Sequence, residues 1–197
     1  MVLNGEAGPT FDRVWFSDYS STGSLAHIGK AAHGGECVVL DSTPGPRFDV
    51  VRGQLEFRPD GGALGYGAAT GRTESVAVFE GGRLTLGRPC DRVGGFTWSA
   101  DGGTLAYVAT RPDHRLVVIG DVDGGPHDMV REPVVSADGA VVAYAATDSG
   151  RSFMIINEEA YGPFDECYAP VVAPDGLSLG FAARLGGEII WHDVRVP

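Results

Sequence analysis

The sequence has no run of the roughly 18 consecutive apolar residues that a membrane-crossing helix needs. Its N-terminus has no basic stretch followed by an apolar segment and a small-residue cleavage site. No span and no address label lead us to expect a cytoplasmic protein; a periplasmic or secreted one stays open if the chain is truncated. Cysteine is scarce: Cys37, Cys90 and Cys167 are far apart, with no Cys-x-x-Cys pair and no neighbouring histidine. That excludes a disulfide framework and a zinc-finger spacing, and fits reduced thiols in a reducing compartment. Bases are scarce too. Fifteen Lys and Arg face 26 Asp and Glu, for a formal charge of −11, and no three bases run together. A phosphate backbone would be repelled, so nucleic acid is not an expected partner. Enzyme signatures are also missing: there is no Gly-x-Ser-x-Gly elbow and no phosphate loop. The expectation is a chain with no catalytic residue, no metal and no cofactor.

What the chain has in quantity is turn residues and short apolar runs. At 197 residues and 43% apolar content it suits one folded domain spanning residues 1–197. Its 30 glycines and 12 prolines, with Asp and Ser, bound many short apolar segments, the pattern of an all-β protein. Those segments repeat. An Asp-Gly turn occurs at Asp60-Gly61, Asp101-Gly102, Asp138-Gly139 and Asp175-Gly176, preceded by a degenerate Thr22-Gly23, at intervals of 37 to 41 residues. After each turn comes a strand of fixed grammar: "LAHIG", "LGYGA", "LAYVA", "VAYAA", "LGFAA". A β-branched or aromatic run follows ("CVVLD", "VAVF", "LVVI", "FMIIN", "EIIWH"), and a sixth such run opens the chain at Val2 to Asn4. Last comes a segment built on Asp, at Phe11-Asp12, Phe48-Asp49, Cys90-Asp91, His127-Asp128 and Phe164-Asp165. Four short strands in about 40 residues are the unit of a β-propeller blade. Strands apolar throughout, such as "LAYVA", are those covered on both faces, as stacked blades require.

At "FRPDGGALGYGA", "WSADGGTLAYVA", "VSADGAVVAYAA" and "APDGLSLGFAA", together with "GPTFD", "GPRFD" and "GPFD", the chain resembles the TolB-like branch of the WD-type β-propellers. The first turn, "SSTG", and the third Asp segment, "GRPCD", depart from that pattern. The resemblance implies a propeller and a scaffolding or binding role. The expected architecture is five four-stranded blades in a ring closed by the N-terminal strand, Phe11 to Val14 supplying the outermost strand of the last blade. The alternative is a fragment of a larger propeller.

The Asp-Gly aspartates belong to hairpin turns, where Gly accepts positive φ. The strict phase of Asp12, Asp49, Asp91, Asp128 and Asp165 points to side chains bonding a nearby turn backbone. "GDVDGG" at Gly120 to Gly125 lacks the Glu of a calcium loop and is expected as a turn. His27, His33, His114, His127 and His192 fall in different repeat phases and form no common ring. Asp18 and Glu56 are non-repeating acids in the inner-strand regions, expected to face solvent. Two carboxylates at the correct separation are nevertheless enough for glycoside hydrolysis. The better clue lies three residues after each repeated Asp, at Trp15, Arg52, Gly94, Arg131 and Tyr168. Trp, Tyr and Arg are the residues most enriched at binding hot spots. Trp15, Arg52, Arg131 and Tyr168 are therefore expected on one rim, binding a protein partner or small ligand. A monomeric, non-catalytic scaffold is the first reading. A carbohydrate-binding or glycoside-processing propeller is the alternative.

Overall fold

The computed structural model describes residues 2–3, 6–7, 9–32 and 34–196, and every regular element among them is a strand. Asn4 and His33 lie outside the described residues. The chain divides into two compact units, Met1–Asp91 and Arg92–Pro197.

The first unit opens with a hairpin of β1 (Val2–Leu3) and β2 (Glu6–Ala7). Two four-stranded antiparallel sheets follow, each a meander in chain order. The first is β3 (Arg13–Tyr19), β4 (Leu25–Lys30), β5 (Glu36–Leu40) and β6 (Thr43–Pro44). The second is β7 (Val50–Phe57), β8 (Ala63–Thr70), β9 (Thr73–Glu80) and β10 (Arg83–Leu86).

The second unit has three sheets. One is β11 (Arg92–Trp98), β12 (Leu105–Thr110), β13 (Arg115–Ile119) and β14 (Val122–Asp123). In the next, two short pieces, β15 (Met129–Val130) and β16 (Val134–Val135), both pair with β17 (Val142–Asp148). Then come β18 (Arg151–Ile156) and β19 (Glu159–Phe164). The fifth sheet has β20 (Glu166–Cys167) and β21 (Val171–Val172) on one side of β22 (Ser178–Leu185) and β23 (Glu188–Arg195) on the other. No fourth strand follows β23 among the described residues. Five antiparallel meanders of this size are β-propeller blades.

The phase of the blade differs from expectation at the N-terminus. Arg13 and Val14, expected in the outermost strand of the last blade, belong to the first strand of the first sheet, opposite Lys30 and Gly29. Val2↔Ala7 and Leu3↔Glu6 reproduce, 37 residues earlier, the register Val39↔Pro44 and Leu40↔Thr43 of β5 and β6. The hairpin is thus a sixth copy of a third-and-fourth-strand pair.

The fixed grammar of the second strand has a packing cause. Its aromatic position, His27, Tyr66, Tyr107, Tyr144 and Phe181, is buried in all five sheets. In four of the five copies the residue before the repeated Asp lies edge-on to that ring: Phe11 on His27, Phe48 on Tyr66, His127 on Tyr144 and Phe164 on Phe181. Small residues beside the ring let sheets approach: Ala143 and Ala145 pack under Leu179 and Phe181 of the next sheet. Burying such an aliphatic or aromatic side chain stabilises the fold by about 1.5–3 kcal/mol.

Candidate functional site

The repeated aspartates are structural. Asp60, Asp101, Asp138 and Asp175 each accept the backbone N–H two residues on, at 2.8 to 3.1 Å, while the following Gly takes φ of +71° to +75°. In the degenerate first turn Thr22 stands in, its hydroxyl 2.9 Å from that of Ser20. The second set caps the next hairpin: Asp49, Asp128 and Asp165 accept the N–H of Gly71, Ser149 and Gly186. Gly120 and Asp121 form the turn between β13 and β14. These seven bonded carboxylates are occupied by backbone N–H groups, which explains their phase and removes them as candidates for chemistry.

The position three residues after each Asp behaves differently. It falls inside the first strand of each sheet, at the point where the ladder loses register. The shift lies between Trp15 and Ser17 in β3, between Arg52 and Glu56 in β7, and between Gly94 and Thr97 in β11. Arg131 and Tyr168 sit in the gaps that split β15 from β16 and β20 from β21. Each is held by one backbone bond, Arg131 N–H to the carbonyl of Ala145 and Tyr168 N–H to that of Ala182. A bulge frees a side chain from the alternation of the strand and re-aims it, which is why bulges gather near sites.

What the side chains do at this position varies. Arg52 is exposed and its guanidinium pairs with the buried carboxylate of Glu74. Arg131 is exposed, and Tyr168 is exposed with its hydroxyl 3.2 Å from Glu166. Trp15 is half-buried and packs on the core beside Ile28, so it is partly a structural residue. In the second unit the breaks of neighbouring sheets meet. Gly94, Arg131, Glu132 and Ala169 line one cleft of about 530 Å³, with Arg92 and Arg115. In the first unit the breaks of β3 and β7 border a cleft of about 300 Å³ lined by Phe16, Ser17, Asp18, Gln54, Leu55 and Glu56.

That second cleft brings together the two acids the repeat pattern had singled out. Glu56 is half-buried rather than solvent-facing. Burial pushes its carboxyl above the ordinary range, and the charge of Asp18 pushes the same way. Phe16 borders it, exposed, with φ of +46°. The four described histidines stay dispersed. His27 is buried in the aromatic position, and His192 stacks on Phe181 with centroids 4.7 Å apart. His114 bonds Asp113 and His127 bonds Asp148. Among the described residues no group of three or more His, Cys, Asp or Glu is placed to hold a metal ion. No helix among them is long and apolar enough to cross a membrane.

No family model matches the chain, and no curated protein matches its sequence. Its backbone is similar to solved structures. A crystal structure of the eukaryotic initiation factor gives a TM-score of 0.58 at 11% identity, over 93% of this chain and 55% of that one. The Dos1 propeller gives 0.50 at 11% identity, over 92% and 55%. The β-propeller domain of the Trilobed protease from Pyrococcus furiosus, described as having an open velcro topology, gives 0.51 at 12% identity, over 93% and 67%. At such identities the likeness is one of fold, and the fold is a β-propeller. The chain spans about half the length of the first two structures.

Proposed function

We propose that the chain is a non-catalytic propeller module that binds a protein partner or a small ligand through the register-break position of its first strands, at Arg52, Arg131, Tyr168 and, in part, Trp15. The observation that carries this is the coincidence of the break with a position of the repeat that holds Trp, Arg or Tyr in four of five copies. Framework positions keep their residue type because the ring packing and turn bonds need it. The break needs no particular side chain, so its identity is free to serve recognition. Arg and Tyr there are of the type that dominates binding energy. The test is retention of partners by the immobilised full chain and by its Arg131→Glu and Tyr168→Ala variants, both at exposed positions. Partners held by the wild type and lost from both variants at unchanged melting temperature support the reading; identical retention by all three refutes it.

A second reading rests on the Asp18–Glu56 cleft. Two carboxyls in one cleft, one of them raised above its ordinary range by burial, are the groups that glycoside hydrolysis uses, and an exposed aromatic at the border is a surface for a sugar ring. Carbohydrate binding is tested by a glycan panel, and processing by release of nitrophenol from aryl glycosides. Loss of either signal in Glu56→Gln supports this reading, and silence of the wild type in both assays removes it.

A further inference from the structure

A cleft of about 720 Å³ opens between the first two sheets, and both of its walls belong to the first unit. Val38 and Leu40 of β5 with Pro44 of β6 form one wall; Leu64 and Tyr66 of β8 with Phe79 of β9 form the other. A mostly apolar lining and a volume of about 300–1,000 Å³ are what small-molecule sites have. None of Trp15, Arg52, Arg131 and Tyr168 lines this cleft, so it is a site separate from the register breaks.

The third and fourth sheets show how the fold closes the equivalent space. There the turn after β18 carries Glu158, whose carboxylate accepts the N–H of Gly125 at 3.1 Å and stands 2.9 Å from where a Cβ on Gly124 would be. Val39↔Pro44 matches Val118↔Asp123, so Gly45 and Pro46 are the counterparts of Gly124 and Gly125. Pro46 has no N–H to offer, and a Cβ on Gly45 would meet only the Val38 carbonyl. The other wall differs as well. Leu64 pairs with Phe79, whereas its counterpart Val142 meets Asn157, already the first residue of the turn. β9 therefore runs two residues further before it turns, and Glu80, in the ladder place of Glu158, bonds Arg58 instead. The turn that follows is Gly81-Gly82, with no side chain to fill the gap.

The polar groups of the lining define the ligand. Tyr66 is 1% exposed, and burial pushes its phenol up to about 12, so at neutral pH it is a hydrogen-bond donor. Asp41 is the only charged residue of the lining among the described residues, and one of its oxygens already accepts the N–H of Leu25 at 2.8 Å. An anion would meet no cation there. We propose that this cleft binds an uncharged, mainly apolar small molecule with an acceptor that takes a hydrogen bond from the Tyr66 hydroxyl.

Nile red, an uncharged dye with a carbonyl acceptor, tests it by fluorescence titration of the full chain. The wild type is expected to bind the dye saturably, and sodium decanoate, an anion, is expected not to displace it. Tyr66→Phe keeps the shape of the ring and removes the donor, so affinity should fall about two- to tenfold with the circular dichroism unchanged. Thr43→Trp, at an exposed lining position opposite Leu40, places a ring in the cleft and should abolish binding. Tyr66→Phe decides the matter if Thr43→Trp fails to fold. A wild type without saturable binding overturns the proposal, as do equal affinity in Tyr66→Phe, a folded Thr43→Trp that still binds the dye, and displacement by decanoate.

Discussion

Tyr144→Phe should make the protein more stable. Tyr144 is 1% exposed, and its hydroxyl is buried without a hydrogen-bond partner. A buried hydroxyl left unpaired costs about 1–3 kcal/mol, whereas replacement by an apolar group of the same shape leaves no cavity. A gain of about 1 kcal/mol follows at neutral pH, which raises the melting temperature by about 2–4 °C for a domain of this size. The same burial supplies a second readout. Desolvation raises the phenol well above its ordinary value, with the charges of Glu158 and Asp148 adding to it. The folded chain therefore keeps a proton that the unfolded chain loses near pH 10, the reference value. Stability is full below that pH and falls above it, by about 1.4 kcal/mol per pH unit for one such group. Phenylalanine has no proton to lose, so its advantage should widen on the alkaline side. Thermal denaturation of both proteins at neutral pH and at two values above pH 10 measures this. A Phe variant less stable than the wild type, or a gap that does not grow with pH, refutes the reasoning. Tyr144→Ala, which empties the space, should cost about 3–5 kcal/mol.

Gly139→Ala should lower stability by about 1–3 kcal/mol, because φ is +73° and an added Cβ would meet Thr104; chemical denaturation reads the loss. Trp15→Ala should cost about 2–4 kcal/mol in the same assay, while Arg131→Ala stays within about 0.5 kcal/mol, since the first packs on the core and the second is exposed. Acid should destabilise the turns. Bonds from Arg58, Ser99 and Ser136 hold the carboxyls of Asp60, Asp101 and Asp138 below the ordinary range, so their contribution is present above about pH 4 and lost as pH falls through the depressed values. Asp101→Asn should make the acid fall of the melting temperature shallower.

The sequence announced these turns and the second strands because each depends on one residue type with one physical role. Gly at positive φ and a buried ring beside Ala or Gly have few substitutes. The fourth strands were harder to read. Thr43–Pro44 and Val122–Asp123 are two residues long, and Arg83–Leu86 alternates polar and apolar over only four residues at an exposed edge. Runs this short carry too little pattern to stand out, and the Asp segment that follows was assigned their role. The ring residues Phe11, Phe48 and Phe164 pack on the second strand, but the chain after each Asp already belongs to the next first strand. The register breaks were invisible for a related reason. A Gly takes positive φ at the break in β11, at Gly95, yet in β3 the residue that does so is Phe16, which no turn rule nominates. The position was picked out by its variability, whereas the backbone device behind it, and the meeting of Asp18 with Glu56, needed the cross-strand register.

The register breaks also determine where this chain can be lengthened. A ladder normally forbids insertion, since one extra residue turns every later side chain to the wrong face. At Trp15, Arg52, Gly94, Arg131 and Tyr168 the first strand has already left register and resumed it, and pairing on either side is fixed independently. Loops grafted there would leave the flanking pairs intact, giving five separately addressable sites on a frame held by its turns and rings.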